Sequence, residues 1–229
     1  MFKGAIFMSI EKSIKLLKEV VPKGVTIIAV SKTRSIEEMN IAYAEGIRDF
    51  GENKVQEFAA KYDEFPKDVR WHIIGHLQRN KVKYIAGKVY LIHSVDSIRL
   101  LKEIESQYEK INEQARILIQ INIGEEESKT GICVDELDGL LEEVEACRFV
   151  KVKGLMAIIP KGDIESNRLY FRSVKKIFDD LSLKKFNNIS VENLSMGMSG
   201  DFKTAIEEGS NMVRIGEGIF GKRIYNNNL

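Results

Sequence analysis

The reading of "NMVRIGEGIFG", Asn211–Gly221, decides the fold of this 229-residue chain. Gly216, Gly218 and Gly221 spell G-x-G-x-x-G, the fingerprint of a dinucleotide-binding turn. Such a turn works as the first connection of a βαβ unit, with a helix N-terminus beneath the pyrophosphate and an acidic residue about 20 positions on. Eight residues follow Gly221, which leaves no room for the helix, the second strand or the acid. The glycines therefore serve something else, and the run before them reads as the last strand of a series.

The rest of that series lies upstream. Strand candidates are "VTIIAVS" (25–31), "IRDFG" (47–51), "RWHIIG" (70–75) and "VYLIHSV" (89–95). They continue with "RILIQINI" (116–123), "VKVKGLMAII" (150–159), "ISVENLSMG" (189–197) and "NMVRIGEGIF" (211–220). Most are near-continuous apolar runs, the pattern of parallel strands buried on both faces. Helical spacing separates them. Ile98, Leu101, Ile104 and Tyr108 share one face of "SIRLLKEIESQYEKI", and Leu137, Leu140, Leu141 and Val144 share one of "VDELDGLLEEVEAC".

Eight strands joined by helical crossovers predict an α/β fold, a single (β/α)8 TIM barrel. A helix at "SIEKSIKLLKEV" (9–20) precedes strand 1. Too little chain follows strand 8 for an ordinary eighth helix, so this first helix is expected to help close the ring. The alternative is an open doubly wound sheet. With three prolines and no Ser/Gly-rich linker, one domain is expected over residues 9–225, with a flexible extension at 1–8 and a frayed tail at 226–229.

Composition narrows the function classes. A net charge of +1 argues against nucleic acid or an anionic membrane as partner, and no apolar run approaches the roughly 20 residues of a membrane helix. The opening "MFKGAIFMSI" is too short for a signal peptide. Cys133 and Cys147 lack CxxC spacing and read as free thiols in a reducing cytoplasm. His72 and His76 in "HIIGH" have a helical metal-ligand spacing, but four strand steps hold them roughly 13 Å apart, so no metal is expected. "QRNKVKYIAGK" reads as a solvated basic helix face and "GEEESKTG" (124–131) as a solvated loop.

Candidate chemistry gathers at strand ends. Lys32 directly follows strand 1, at the barrel end where active sites lie. Arg34 is two residues away, and a neighbouring cation with partial burial lowers an amine pKa, which favours attack on a carbonyl. Ser199 and Gly200 precede "DFKTAIEE", which places Ser199 near a helix N-cap able to bind an anion. Gly216 and Gly218 follow strand 8, and barrels commonly hold phosphates in the loops after strands 7 and 8. Arg214 sits inside an apolar strand and must reach a polar cavity or a partner, because burying it unpaired is costly.

The motifs "AVSKT", "FGENKVQE", "WHIIGHLQRNK", "GLMAI", "LSMGMSGDF" and "VRIGEGIFG", in this order from Ala29 to Gly221, resemble the pyridoxal phosphate homeostasis protein family. The resemblance implies a barrel of the alanine racemase N-terminal type that carries pyridoxal 5'-phosphate as a Schiff base on Lys32. It further implies that Ser199, Gly200 and the backbone at Gly216 hold the phosphate and that Arg214 faces the pyridine nitrogen. Asn53 and His76 match residues of the pocket mouth, and Met156 would pack beside the ring. Glu217 departs from the Ser or Thr expected after "RIG"; it is expected to point away, leaving the phosphate on backbone donors and more loosely bound. The implied function is cofactor buffering and delivery to pyridoxal phosphate-dependent apoenzymes by a monomer, without substantial turnover and with no catalytic residues. An amino-acid racemase is the alternative; the opposing tyrosine base of such enzymes comes from an additional β-domain, which this sequence is not expected to have.

Overall fold

The computed structural model describes residues 8–126 and 130–222, so most of the expected extension at 1–8 and the tail at 226–229 lie outside the described residues. Eight parallel strands close into a barrel in sequence order: β1 (Thr26–Val30), β2 (Asp49–Glu52), β3 (Arg70–Ile73), β4 (Leu91–Val95), β5 (Ala115–Ile121), β6 (Val150–Ala157), β7 (Ile189–Met198) and β8 (Met212–Ile215). The ring shuts where β1 pairs with β8, with Ile28 opposite Arg214 and Ala29 opposite Ile215. This is the expected (β/α)8 barrel; the open sheet is ruled out.

The helices are α1 (Ile10–Val20), α2 (Ile36–Ala44), α3 (Val55–Tyr62), α4 (Ile98–Ile111), α5 (Leu137–Glu145), α6 (Ile164–Ser182), α7 (Phe202–Glu207) and α8 (Glu217–Phe220). The Ser9 hydroxyl caps α1 by accepting from the Lys12 N–H, and the buried face of Ile14 and Leu17 contributes about 1.5–3 kcal/mol per side chain. With that face α1 packs between α2 and the four-residue α8, the place an ordinary eighth helix would take.

Three expectations need correction. β8 ends at Ile215, not at 220, because the Gly216 carbonyl accepts from the Ile219 and Phe220 N–H groups and starts a helical turn. The β3–β4 crossover is a 3-10 helix, Arg79–Tyr84, in which Val82 is buried; Ile85 caps it, is also buried and lies three residues on, matching the tighter period. Ile98 lies at the start of α4 and is exposed; Leu100, Leu101, Ile104 and Tyr108 form its buried face.

Outside the barrel one large apolar core packs strands against helices. Inside, Ile28, Leu91, Leu118, Met156 and Met212 form a separate small cluster that plugs part of the barrel below its C-terminal mouth. Polar side chains fill the remainder, and they bear on the site.

Candidate functional site

A cavity of about 270 Å³ opens at the C-terminal end of the barrel, near the lower end of small-molecule sites. Six of the eight residues singled out from the sequence line it: Lys32, Asn53, Ser199, Gly200, Arg214 and Gly216. Val30, Ile74 and Ile158 add apolar walls.

Lys32 is half-buried on the turn leaving β1. The backbone on both sides of it is pinned by α3 and β2. Lys61 Nζ donates to the Ser31 carbonyl, the Ser31 hydroxyl donates to Glu52 Oε1, and the Thr33 N–H donates to Glu57 Oε2 at 2.6 Å. Thr33 itself has a left-handed φ of 62°, a strain of order 1 kcal/mol. Three tethers and one strained residue thus aim the lysine. Arg34, expected to act on the lysine amine, is engaged with Glu38 and the Gly221 carbonyl and lies over the Phe220 ring.

Behind this turn, Glu52 and Lys61 form a buried ion pair at 2.8 Å. Burial raises the Glu52 pKa, against the pull of Lys61. Asn53 follows Glu52 and comes close to β3 because residue 75 is glycine; a Cβ there would sit 2.5 Å from the Asn53 carbonyl oxygen.

Arg214 forms the cavity floor. It is buried, and burial lowers its pKa to about 10, which leaves it protonated at neutral pH. Nη1 donates to the Ser195 carbonyl at 2.8 Å and hydroxyl at 2.6 Å, and Nη2 donates to the Ala157 carbonyl at 2.9 Å. A guanidinium has five N–H donors, so these three bonds leave others for the cavity.

The anion seat differs from the sequence expectation. Asp201, not Ser199, occupies the N-cap of α7, which is a six-residue helix. The Ser199 hydroxyl instead accepts from the Gly218 N–H at 3.1 Å and ties the β7 loop to the β8 loop. A Cβ at residue 218 would lie 2.8 Å from Ile215 Cγ2, so any other residue forces a local shift. Gly200 is exposed, and a Cβ there would meet open space. Glu217 is exposed and is among the residues that line the cavity.

Two expected residues are elsewhere. His76 lies 3.2 Å from Asp96 in a neighbouring open cleft, because the chain turns outward after Gly75. Met156 is fully buried in the barrel plug; two residues on, just past the end of β6, Ile158 takes the wall position expected of it. His72 is buried inside the barrel while His76 is at its outer mouth, so the two do not share an ion. Among the described residues, Cys133, Asp135 and Glu136 lie close enough to share one. Burial and the neighbouring carboxylates raise the Cys133 thiol pKa, which makes it a poor thiolate donor.

The cavity thus offers an amine, a cationic floor, a hydroxyl with backbone N–H groups, and apolar walls. That set suits a flat, phosphorylated carbonyl compound.

Comparison with known proteins agrees. The alanine racemase N-terminal domain family matches residues 8–223. A pyridoxal phosphate homeostasis protein of Aquifex aeolicus is 44% identical over 201 residues, 87% of each chain. Another, from Synechocystis, is 35% identical over 89% of this chain and 94% of its own. PipY of Synechococcus elongatus, solved with pyridoxal phosphate bound, is 31% identical with a TM-score of 0.86, covering 93% of this chain and all of its own. Alanine racemase of Bacillus anthracis shares the fold at 16% identity and a TM-score of 0.75; the match spans 95% of this chain and 56% of that enzyme.

Proposed function

Because the chain belongs to the pyridoxal phosphate homeostasis protein family, we propose that it binds pyridoxal 5'-phosphate reversibly and covalently at Lys32, buffers it and delivers it to apoenzymes. The observation that carries this reading is the convergence of Lys32, Arg214 and the Ser199–Gly218 seat on one cavity. When bound, the cofactor supplies an aldehyde that an amine captures with loss of water and releases when water returns.

The chain's own groups have separable tasks. Lys32 presents its amine from a turn that α3 holds in place. The Ser199 hydroxyl, held by the Gly218 N–H, and the backbone at Gly200 and Gly216 would receive the phosphate after strands 7 and 8. Arg214 offers N–H donors and a positive charge to a ring acceptor, so that acceptor is bound without a proton of its own. An unprotonated ring is a weaker electron sink, which suits storage over turnover. A two-base racemase needs a proton carrier facing Lys32. Among the described residues no tyrosine or histidine lines the cavity to take that part.

The test is reductive trapping. Holoprotein treated with borohydride should carry the cofactor on the peptide containing Lys32, and Lys32→Ala should lose both the adduct and the visible absorption band. An adduct on another lysine would overturn the assignment. Sustained formation of D-amino acid from an L-amino acid would overturn the carrier reading in favour of the racemase.

A further inference from the structure

Asp49, His72, His93 and Ser195 are all buried and come from β2, β3, β4 and β7. Together they bridge the barrel interior. At the N-terminal rim Arg70 donates to both Asp49 carboxylate oxygens. His72 Nε2 lies 3.0 Å from Asp49 Oδ1, and His72 Nδ1 lies 2.9 Å from His93 Nε2. His93 Nδ1 is 3.1 Å from the Ser195 hydroxyl, which accepts from Arg214 at the cavity floor.

The two ends fix where the protons lie. Burial pushes the Asp49 pKa up, but the bonds from Arg70 and His72 outweigh it and hold the carboxyl below its ordinary range, so it is an anion. It therefore takes a proton from His72 Nε2. Burial keeps both imidazoles neutral, His93 most strongly. With one proton each, His72 accepts at Nδ1 from His93 Nε2–H, and His93 accepts at Nδ1 from the Ser195 hydroxyl. Ser195 in turn accepts from Arg214, which can only donate. Every donor points away from the cavity, towards Asp49.

We propose that His93, His72 and Ser195 are positioning residues that lock the Arg214 guanidinium from behind and so fix the N–H donors it shows to the ring acceptor of a bound ligand. The lock rests on the cavity reading given above. It makes the cavity selective for a ring with an acceptor at that position. Loosening the lock lets the guanidinium rotate off that acceptor but leaves Lys32 and the anion seat untouched.

The test compares pyridoxal 5'-phosphate with its analogue carrying carbon in place of the ring nitrogen, titrated into wild type, Ser195→Ala and His93→Phe. Ser195→Ala keeps the backbone carbonyl bond to Arg214 and removes a single buried atom, so it is the safer fold. The expected result is a loss of about tenfold in affinity for pyridoxal phosphate, with the analogue's affinity unchanged within about twofold. Equal losses for both compounds, or no loss for either, overturn the proposal. Ring nitrogen NMR of the protein without added cofactor tests the same chain independently of what the cavity binds. Both buried histidines should be neutral with the proton on Nε2; a charged His93 or an Nδ1–H form overturns the lock. Wild type that takes up neither compound overturns the cavity reading, and the NMR result then decides the chain alone.

Discussion

Lys61 Nζ lies 2.8 Å from the Ser31 carbonyl oxygen and 2.8 Å from Glu52 Oε1, so one buried ammonium joins the residue before Lys32 to the end of β2. Lys61→Met would strand the Glu52 carboxylate, whose Oε2 already lacks a hydrogen-bond partner. Removing one member of a buried pair costs about 3–5 kcal/mol. Urea unfolding should show that loss in the single variant and recover most of it when Glu52→Gln is added. A single variant as stable as wild type would contradict the buried-pair account.

Ser199→Ala should weaken pyridoxal phosphate binding by about ten- to a hundredfold, the worth of a hydrogen bond to a charged group. Unphosphorylated pyridoxal, with no anion to seat, should bind both proteins equally. Equal weakening of the two ligands would mean that Ser199 acts by holding the Gly218 loop in place.

Glu217 lines the cavity next to Gly216, and a carboxylate facing a phosphate dianion there would repel it. Glu217→Thr removes the charge and adds a hydroxyl, so the dissociation constant should fall, and the gain should shrink as salt screens the charge. A constant no tighter than wild type would show that the carboxylate stays clear of the anion.

The barrel was legible in the sequence because parallel strands buried on both faces read as apolar runs, and Lys32 and Arg214 stood out against them. Boundaries near glycine were less legible: "RIGEGIF" has the composition of a strand, and only the Gly216 carbonyl bonds show a helical turn. Met156, carried over from the family motif, does face inward but lies one inward step below the cavity, whose wall is Ile158. Of the interior chain only His72 was singled out, and only as a metal ligand to be set aside. The signal for the rest was present as single polar residues inside apolar strands, Asp49 in "RDFG", His93 in "LIHSV" and Ser195 in "NLSMG". Their bonding partners lie on other strands, so no local pattern reveals them.

His76 gives a negative control. Its pair with Asp96 is exposed and belongs to the adjoining cleft. His76→Ala should leave pyridoxal phosphate affinity within about twofold and stability within about 0.5 kcal/mol, as for an ordinary surface position. A tenfold loss of affinity would bring this histidine back to the pocket mouth.

Stability should fall on mild acidification, and the two buried histidines set the direction. Burial lowers both His72 and His93 from the ordinary 6.5, so the native chain keeps them neutral while the unfolded chain takes up protons. Their contribution is complete above about pH 6.5 and is lost as pH falls, at up to about 1.4 kcal/mol per pH unit for each ring. Asp49 acts in the same direction lower down, since its depressed pKa supplies stability that is lost below the ordinary 3.8. Glu52 acts the other way: its raised pKa means stability is lost as pH climbs from 4.5 towards its folded value. The histidine effect is therefore isolated by comparing wild type with His93→Phe in urea between about pH 7.5 and 5.5, where a shallower slope is expected in the variant. Identical slopes in the two proteins would mean that His93 is already charged in the folded state, and its Nδ1 would then donate to the Ser195 hydroxyl instead of accepting from it.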